Sequence, residues 1–307
     1  MSNTFIRILV AVVGIPCIVV ICLIGGFWVW GMVAVLETIA LLELYRLAEV
    51  KGAKPLAIEG AIAGIIITLA FEMNRILGLA PLEGIARTVR QFIPSQAHLI
   101  VIILVLFVWW VLLRELFRKN GSALLNLTAT VFGVLYIPLF FGTLIGIREL
   151  FNAEIPAIRF FAYDSSTIEQ WGGMTLVSIF AIIWICDSAA YFGGRAMGRH
   201  KLFERVSPNK TWEGAIWGLA GAVIAAIAAK YLVLQYLTLG ESLIVGMIVG
   251  VIGQIGDLVE SLLKRDVGVK DSSSIIPGHG GVLDRFDSLL FVSPVLYLYL
   301  GGIVLRP

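Results

Sequence analysis

The residues most able to do chemistry sit near the C-terminal end, in the stretch SLLKRDVGVKDSSSIIPGHGGVLDRFDS from Ser261 to Ser288. Asp284 and Asp287 stand three apart, so they share a face if that segment is helical, and Asp257 comes from the preceding apolar run. Around them lie Lys264, Arg265, Lys270 and Arg285, with Gly278-His279-Gly280-Gly281 between. Such glycines let the backbone turn tightly, and successive N–H groups in such a turn form a nest for phosphate oxygens. Acids placed there would repel the phosphates that the basic residues attract. A hard cation resolves the conflict, because Mg²⁺ takes one or two carboxylates and completes its shell with substrate phosphate. Taken singly, each feature has an ordinary reading: basic residues anchor topology at a membrane boundary, and a glycine-rich loop need only turn. The three carboxylates together favour a phosphate site. His279 suits a general acid or base, a phosphate donor or a turn residue, and the phosphate contact is the preferred role.

Upstream, Gly246, Gly250 and Gly253 recur at helical spacing, and Asp257, Ser261 and Lys264 continue that face. The glycines suit close helix packing, whereas a carboxylate within a span must face water, a cation or a partner. Asp187, in WICDSAAYFGGRAMGRHK, shares a helical face with Tyr191 and Gly194, and pairing with Arg195 is its alternative. In RVSPNKTWEG, Ser207, Lys210 and Thr211 precede an apolar run, which suits an anion at a helix N-terminus or a simple helix cap. No Walker A sequence occurs, and no Ser/His/Asp triad can be inferred.

The elements that must position these residues are membrane helices. Of 307 residues, 59% are hydrophobic and 14% charged, against roughly 25% charged in soluble domains. A net charge of +2 gives no case for nucleic acid. Cys17, Cys22 and Cys186 lie in apolar segments without metal spacing and read as buried small hydrophobes. The fold class is all-α, a polytopic integral membrane protein of about nine transmembrane helices, over 8–25, 27–45, 57–72, 97–113, 123–147, 173–194, 213–233, 241–263 and 288–304. These form a single membrane domain, 1–307, with N-terminal helices in 1–172 and catalytic helices and loops in 173–307. The N-terminal spans hold few polar groups besides Glu37 and Glu43, which places function in the second half. The segments 73–96 and 148–172 carry no expected chemistry, with Arg87 to Arg90 a candidate interfacial helix.

Lys and Arg divide 16 to 7 between the two sides, so the N-terminus and both polar C-terminal loops are expected in the cytoplasm. That places the site on the cytoplasmic side of the cytoplasmic (inner) membrane.

Ser261, Lys264-Arg265, Lys270-Asp271, Pro277, His279-Gly280-Gly281, Asp284-Arg285 and Asp287 follow the signature of the phosphatidate cytidylyltransferases, which this chain resembles. CDSAAYFGGRAMGRHK and SPNKTWEG resemble that family too, so the likeness covers about 180 to 290. It implies an integral membrane enzyme that joins CTP and phosphatidate into CDP-diacylglycerol and pyrophosphate with Mg²⁺, as a homodimer in the lipid bilayer. A second, monovalent cation such as K⁺ is left open. The expected roles are catalysis by Asp257, Asp284, Lys264, Arg285 and His279, and metal binding by Asp257 and Asp284 with Asp287 close by. Substrate binding falls to Asp187, Ser207, Lys210, Thr211, Ser261, Arg265, Lys270, Gly280 and Gly281. The alternatives are a CTP-dependent enzyme for another lipid, such as a polyprenol kinase or an archaeal-type ether-lipid cytidylyltransferase, and a transporter of phosphate-bearing solutes.

Overall fold

The computed structural model describes residues 3–79, 83–93, 95–151, 164–278 and 280–305. Its helices are α1 (Asn3–Ile24), α2 (Phe27–Val50), α3 (Ala57–Ala70), α4 (Met73–Leu77), α5 (Glu83–Phe92), α6 (Gln96–Leu116), α7 (Ala123–Glu149), α8 (Ser165–Met197), α9 (Trp212–Leu232), α10 (Leu239–Ile248), α11 (Gln254–Asp266) and α12 (Leu283–Tyr299). A π-helical turn, Val249–Gly253, joins α10 to α11, and another, Leu300–Val304, follows α12. Helix dominates because hydrocarbon offers backbone N–H and C=O groups no partner outside the chain. Among the described residues, the all-α expectation is departed from by a short antiparallel hairpin, β1 (Lys201–Phe203) with β2 (Ser207–Thr211), and by a single bridge between Ile276 and Gly280. The hairpin lies between two spans, where backbone groups are free to pair across strands.

Among the described residues, seven helical stretches are long and apolar enough to cross a membrane: Phe27–Val50, Gln96–Leu116, Ala123–Glu149, Ser166–Met197, Trp212–Leu232, Leu239–Asp266 and Leu283–Val304. Val10–Ile24 and Ala57–Ala70 are shorter apolar helices. Each expected span overlaps one of these. The sixth begins earlier than its apolar core, because polar residues from Ser165 onward continue the same helix. Hydroxyl caps set several starts: Ser95, Ser122, Thr211 and Thr238 accept from the backbone N–H of His98, Leu125, Gly214 and Glu241. The candidate interfacial helix forms as α5, which packs Ala86 against Met73 and Leu77. Residues 152–163 of the other mixed segment lie outside the described residues.

At the core, α7 packs against α2, α3, α6, α8 and α12, while α8 lies along α9 and α11 along α12. Leu41, Tyr45, Ile137, Phe141 and Ile145 are buried there. Cys22 and Cys186 are buried as expected, whereas Cys17 is exposed on α1, on a surface that lipid would cover. Exposed Val101, Leu106, Trp109 and Leu113 on α6 suit the same surroundings.

Ion pairs and a charged hydrogen bond mark two opposite ends. At one end, Lys51 meets Asp266 at 3.1 Å and Arg118 donates to the Lys54 carbonyl at 2.6 Å. At the other, Arg75 meets Glu149 at 2.8 Å, and buried Arg148 lies 3.9 Å from Glu169. The hairpin and the 267–282 loop belong to the first end, because both connect spans there and Lys210 of β2 pairs with Asp257 of α11.

The π-helical turn changes the expected glycine face. Gly246 and Gly250 pack against α9, at Val223 and Leu219, whereas Gly253 and Gly256 pack against α12. A wider turn between the two pairs rotates α11 relative to α10, so one glycine stripe serves two neighbours.

Candidate active site

Asp257 lies in the first turn of α11, which follows the π-helical turn, and its carboxylate receives the Lys210 ammonium from the end of β2. Ser261, one turn on, places Oγ 3.5 Å from Asp257 Oδ1. Gly256 makes this arrangement possible: a β-carbon there would stand 2.7 Å from the Asp287 carbonyl oxygen. Asp257 and Asp287 are therefore carried by closely apposed helices, and both Asp287 and Asp187 of α8 lie within electrostatic range of Asp257 and Lys210.

Two cavities meet here. The first, of about 460 Å³, is lined by Asp187, Tyr191, Arg195, Lys210, Thr211 and Asp257 among others. The second, of about 410 Å³, has apolar walls from α1, α2 and α8, including Ile15, Ile18, Leu36 and Trp184, and a polar rim of Asp187, Arg285, Asp287 and Ser288. Asp187 lines both. Arg285 lines the second and also a polar recess of about 490 Å³ with Lys270, Asp271, Ser273 and Gly280. Arg195 donates to Tyr191 Oη at 3.3 Å.

The signature loop is held by its own acids. Asp284 pairs with Lys264 at 2.6 Å and accepts from the Ser272 N–H at 2.9 Å, the Ser272 hydroxyl at 3.0 Å and the Gly281 N–H at 2.7 Å. The Gly281 amide, expected in a phosphate cradle, thus serves Asp284, because that carboxylate folds back over the start of its own helix. Gly280 has φ 86°, and a β-carbon there would stand 2.6 Å from Asp284 Oδ2. Lys264 also reaches Glu260, buried on α11, at 2.6 Å. His279 lies outside the described residues.

Two expected substrate contacts point elsewhere. Arg265 donates to the Val269 carbonyl at 2.8 Å, and Ser207 sits in β2 away from the three cavities' linings. Thr211 lines the first cavity while capping α9 through the Gly214 N–H at 3.2 Å. Glu213 anchors the hairpin, accepting from the Arg199 and His200 N–H groups and contacting His200 Nδ1 at 2.6 Å.

Two features escaped the sequence reading. Glu43 of α2 is fully buried and contacts Ser272, Ser273, Val282 and Leu283, so the N-terminal half enters the site. Its signal was the rule that an acid inside a span needs a partner. Gly256 gave no signal distinguishing it from other glycines.

Among the described residues, no three His, Cys, Asp or Glu side chains converge tightly enough to hold a metal alone. Mg²⁺ does not require that, since one or two carboxylates with water and phosphate suffice. Asp187 and Asp257, hard oxygen donors on one cavity beside Lys210, fit such a cation.

The fold and this site define a helical membrane protein whose acids and bases gather where a cavity bearing charged side chains shares Asp187 with a groove walled mainly by apolar ones. The chain belongs to the cytidylyltransferase family, whose model matches residues 5–302. It is 30% identical to a phosphatidate cytidylyltransferase of Synechocystis sp., over 95% of each chain. A protein of the same name from Staphylococcus epidermidis is also 30% identical, over 96% of this chain and 98% of that one. A Brucella suis phosphatidate cytidylyltransferase reaches 47% over 139 residues, 45% of this chain and 51% of its own.

Proposed function

We propose that this protein transfers a cytidylyl group from CTP to phosphatidate, giving CDP-diacylglycerol and pyrophosphate. Family membership and the names of its full-length relatives support this. The structural observation that carries it is that a cavity lined by Asp187, Arg195, Lys210 and Asp257 shares Asp187 with a groove walled mainly by apolar residues. A nucleotide from water suits the first, and a diacyl lipid from the bilayer suits the second.

In the reaction, a phosphate oxygen of phosphatidate bonds to the α-phosphorus of CTP. The bond from that phosphorus to the bridging oxygen breaks, and its electron pair leaves with pyrophosphate. Both reactants are anions, so catalysis rests on positioning and charge neutralisation. Lys210 and Arg195 face the nucleotide cavity, while Arg285 and Lys270 face the recess beside the lipid groove. A phosphate monoester is already ionised near neutral pH, so no strong base is required. Mg²⁺, when bound, neutralises phosphate oxygens. Asp187 and Asp257, on one cavity, are the residues that would hold it.

The cytoplasmic placement of the site belongs to this reading and is supported by the 16 to 7 division of Lys and Arg. Homodimer formation rests on the family resemblance alone, and crosslinking in native membranes tests it. Purified protein in detergent, given labelled CTP, phosphatidate and Mg²⁺, is expected to release CDP-diacylglycerol and pyrophosphate. Absence of both products from a folded sample would overturn the reading.

A further inference from the structure

We propose that Glu43 is a positioning residue that holds the signature loop and the start of α12 in their working place. The proposal rests on the cytidylyltransferase reading for what that loop does, and on geometry for how it is held.

Glu43 lies in α2, far from the signature in sequence, and is fully buried. Its carboxylate accepts from the Ser273 hydroxyl at 2.5 Å and shares with Asp284 the single hydrogen of the Ser272 hydroxyl, 3.0 Å away. It also accepts from the N–H groups of Val282 at 3.1 Å and Leu283 at 2.8 Å. Those two amides begin α12 and have no carbonyl one turn earlier within the helix, so the carboxylate both satisfies them and meets the positive end of the helix dipole. One side chain therefore ties both ends of the loop to a membrane helix.

The Ser272 hydroxyl stands 3.0 Å from Glu43 Oε2 and 3.0 Å from Asp284 Oδ2. A buried polar chain then runs from Glu43 through Ser272, Asp284 and Lys264 to Glu260. Gly281 is part of the fit, since a β-carbon there would stand 2.6 Å from Glu43 Oε1. The loop and helix start so fixed carry Lys270, Gly280 and Arg285 of the polar recess and Asp287 of the groove rim. None of the four groups bonded to Glu43 lines the nucleotide cavity.

Glu43→Gln tests this. Glutamine offers one acceptor oxygen and turns an NH₂ toward four donors, so it cannot keep the set. The expected result is a kcat lower by about 10- to 100-fold, the scale of an ångström-size misplacement, with KM for CTP unchanged. Amide hydrogen exchange is expected to quicken over 272–283 while α6 and α9 stay as in the wild type. Wild-type kcat and exchange would overturn the proposal. So would faster exchange spread through α2, α3 and α7 with KM for CTP rising in parallel, the mark of a packing residue. If Glu43→Gln does not fold, Ser272→Ala/Ser273→Ala removes two of the four bonds from the loop side. A smaller loss of kcat with the same local exchange supports the proposal, and wild-type values in both overturn it. The exchange pattern reads loop anchoring even if the wild type lacks cytidylyltransferase activity, which separates failure of this proposal from failure of the function.

Discussion

Gly256 of α11 packs so closely on α12 that a β-carbon would stand 2.7 Å from the Asp287 carbonyl oxygen and 3.0 Å from Phe291 Cβ. The nearest of these contacts, the Asp287 oxygen, is backbone, which cannot swing aside as a side chain can. It keeps together the two helices that carry Asp257 and Asp287.

Gly256→Ala is therefore expected to separate those helices and lower both stability and activity. Overpacking of this kind costs about 1–3 kcal/mol, readable as a fall in melting temperature in detergent together with kcat. Gly240, in the first turn of α10, has nothing within 4 Å of its β-carbon position and is the control. Gly240→Ala should be neutral or mildly stabilising. Equal behaviour of the two variants would refute the packing argument.

Lys264 neutralises Asp284 and Glu260 at 2.6 Å each, and side-chain exposures of 11%, 5% and 1% place all three away from water. Lys264→Met leaves two buried acids without their cation, a loss of about 3–5 kcal/mol, visible in thermal melting. Asp284→Asn retains an acceptor oxygen for Ser272 and Gly281, so it should stay folded yet lose turnover. Full activity of Asp284→Asn at ordinary Mg²⁺ would remove Asp284 from the catalytic assignment.

Lys210 occupies Asp257. If the same carboxylate takes a divalent cation, Lys210→Gln should tighten Mn²⁺ binding, measured by magnetic resonance without substrates, while raising KM for CTP. Weaker Mn²⁺ binding would show that Lys210 supports the cation rather than competing with it.

Gly14 of α1 borders the apolar groove, and no atom lies within 4 Å of its β-carbon position. Gly14→Phe should fill the groove without disturbing the fold, raising KM for phosphatidate severalfold and leaving KM for CTP alone. An unchanged KM for phosphatidate would place the lipid elsewhere.

Much of this protein is legible in its sequence because the bilayer imposes a strong and local rule. A helix is the economical way to satisfy the backbone in hydrocarbon, so apolar runs announce the helices, and the cost of a charge there makes Asp187 and Asp257 conspicuous. The signature from Ser261 to Asp287 likewise named the family, since its residue types and spacings are fixed along the chain. Where those side chains point is a different matter. The spacing of Asp284 and Asp287 suggested a shared task, but Asp284 turns back to Lys264, Ser272 and Gly281 while Asp287 lines the apolar groove with Asp187. The glycine stripe looked continuous until a π-helical turn split it between α9 and α12.

The sequence by itself determined the helical membrane architecture, the family and the residue types of the site, because these follow from local composition and spacing. Only the tertiary structure decided which acids line the same cavity, that Asp187 lines two of them, and that Glu43 reaches the signature loop 229 residues away. Those relations arise from helix packing and loop return, which depend on the whole set of buried contacts rather than on any one segment.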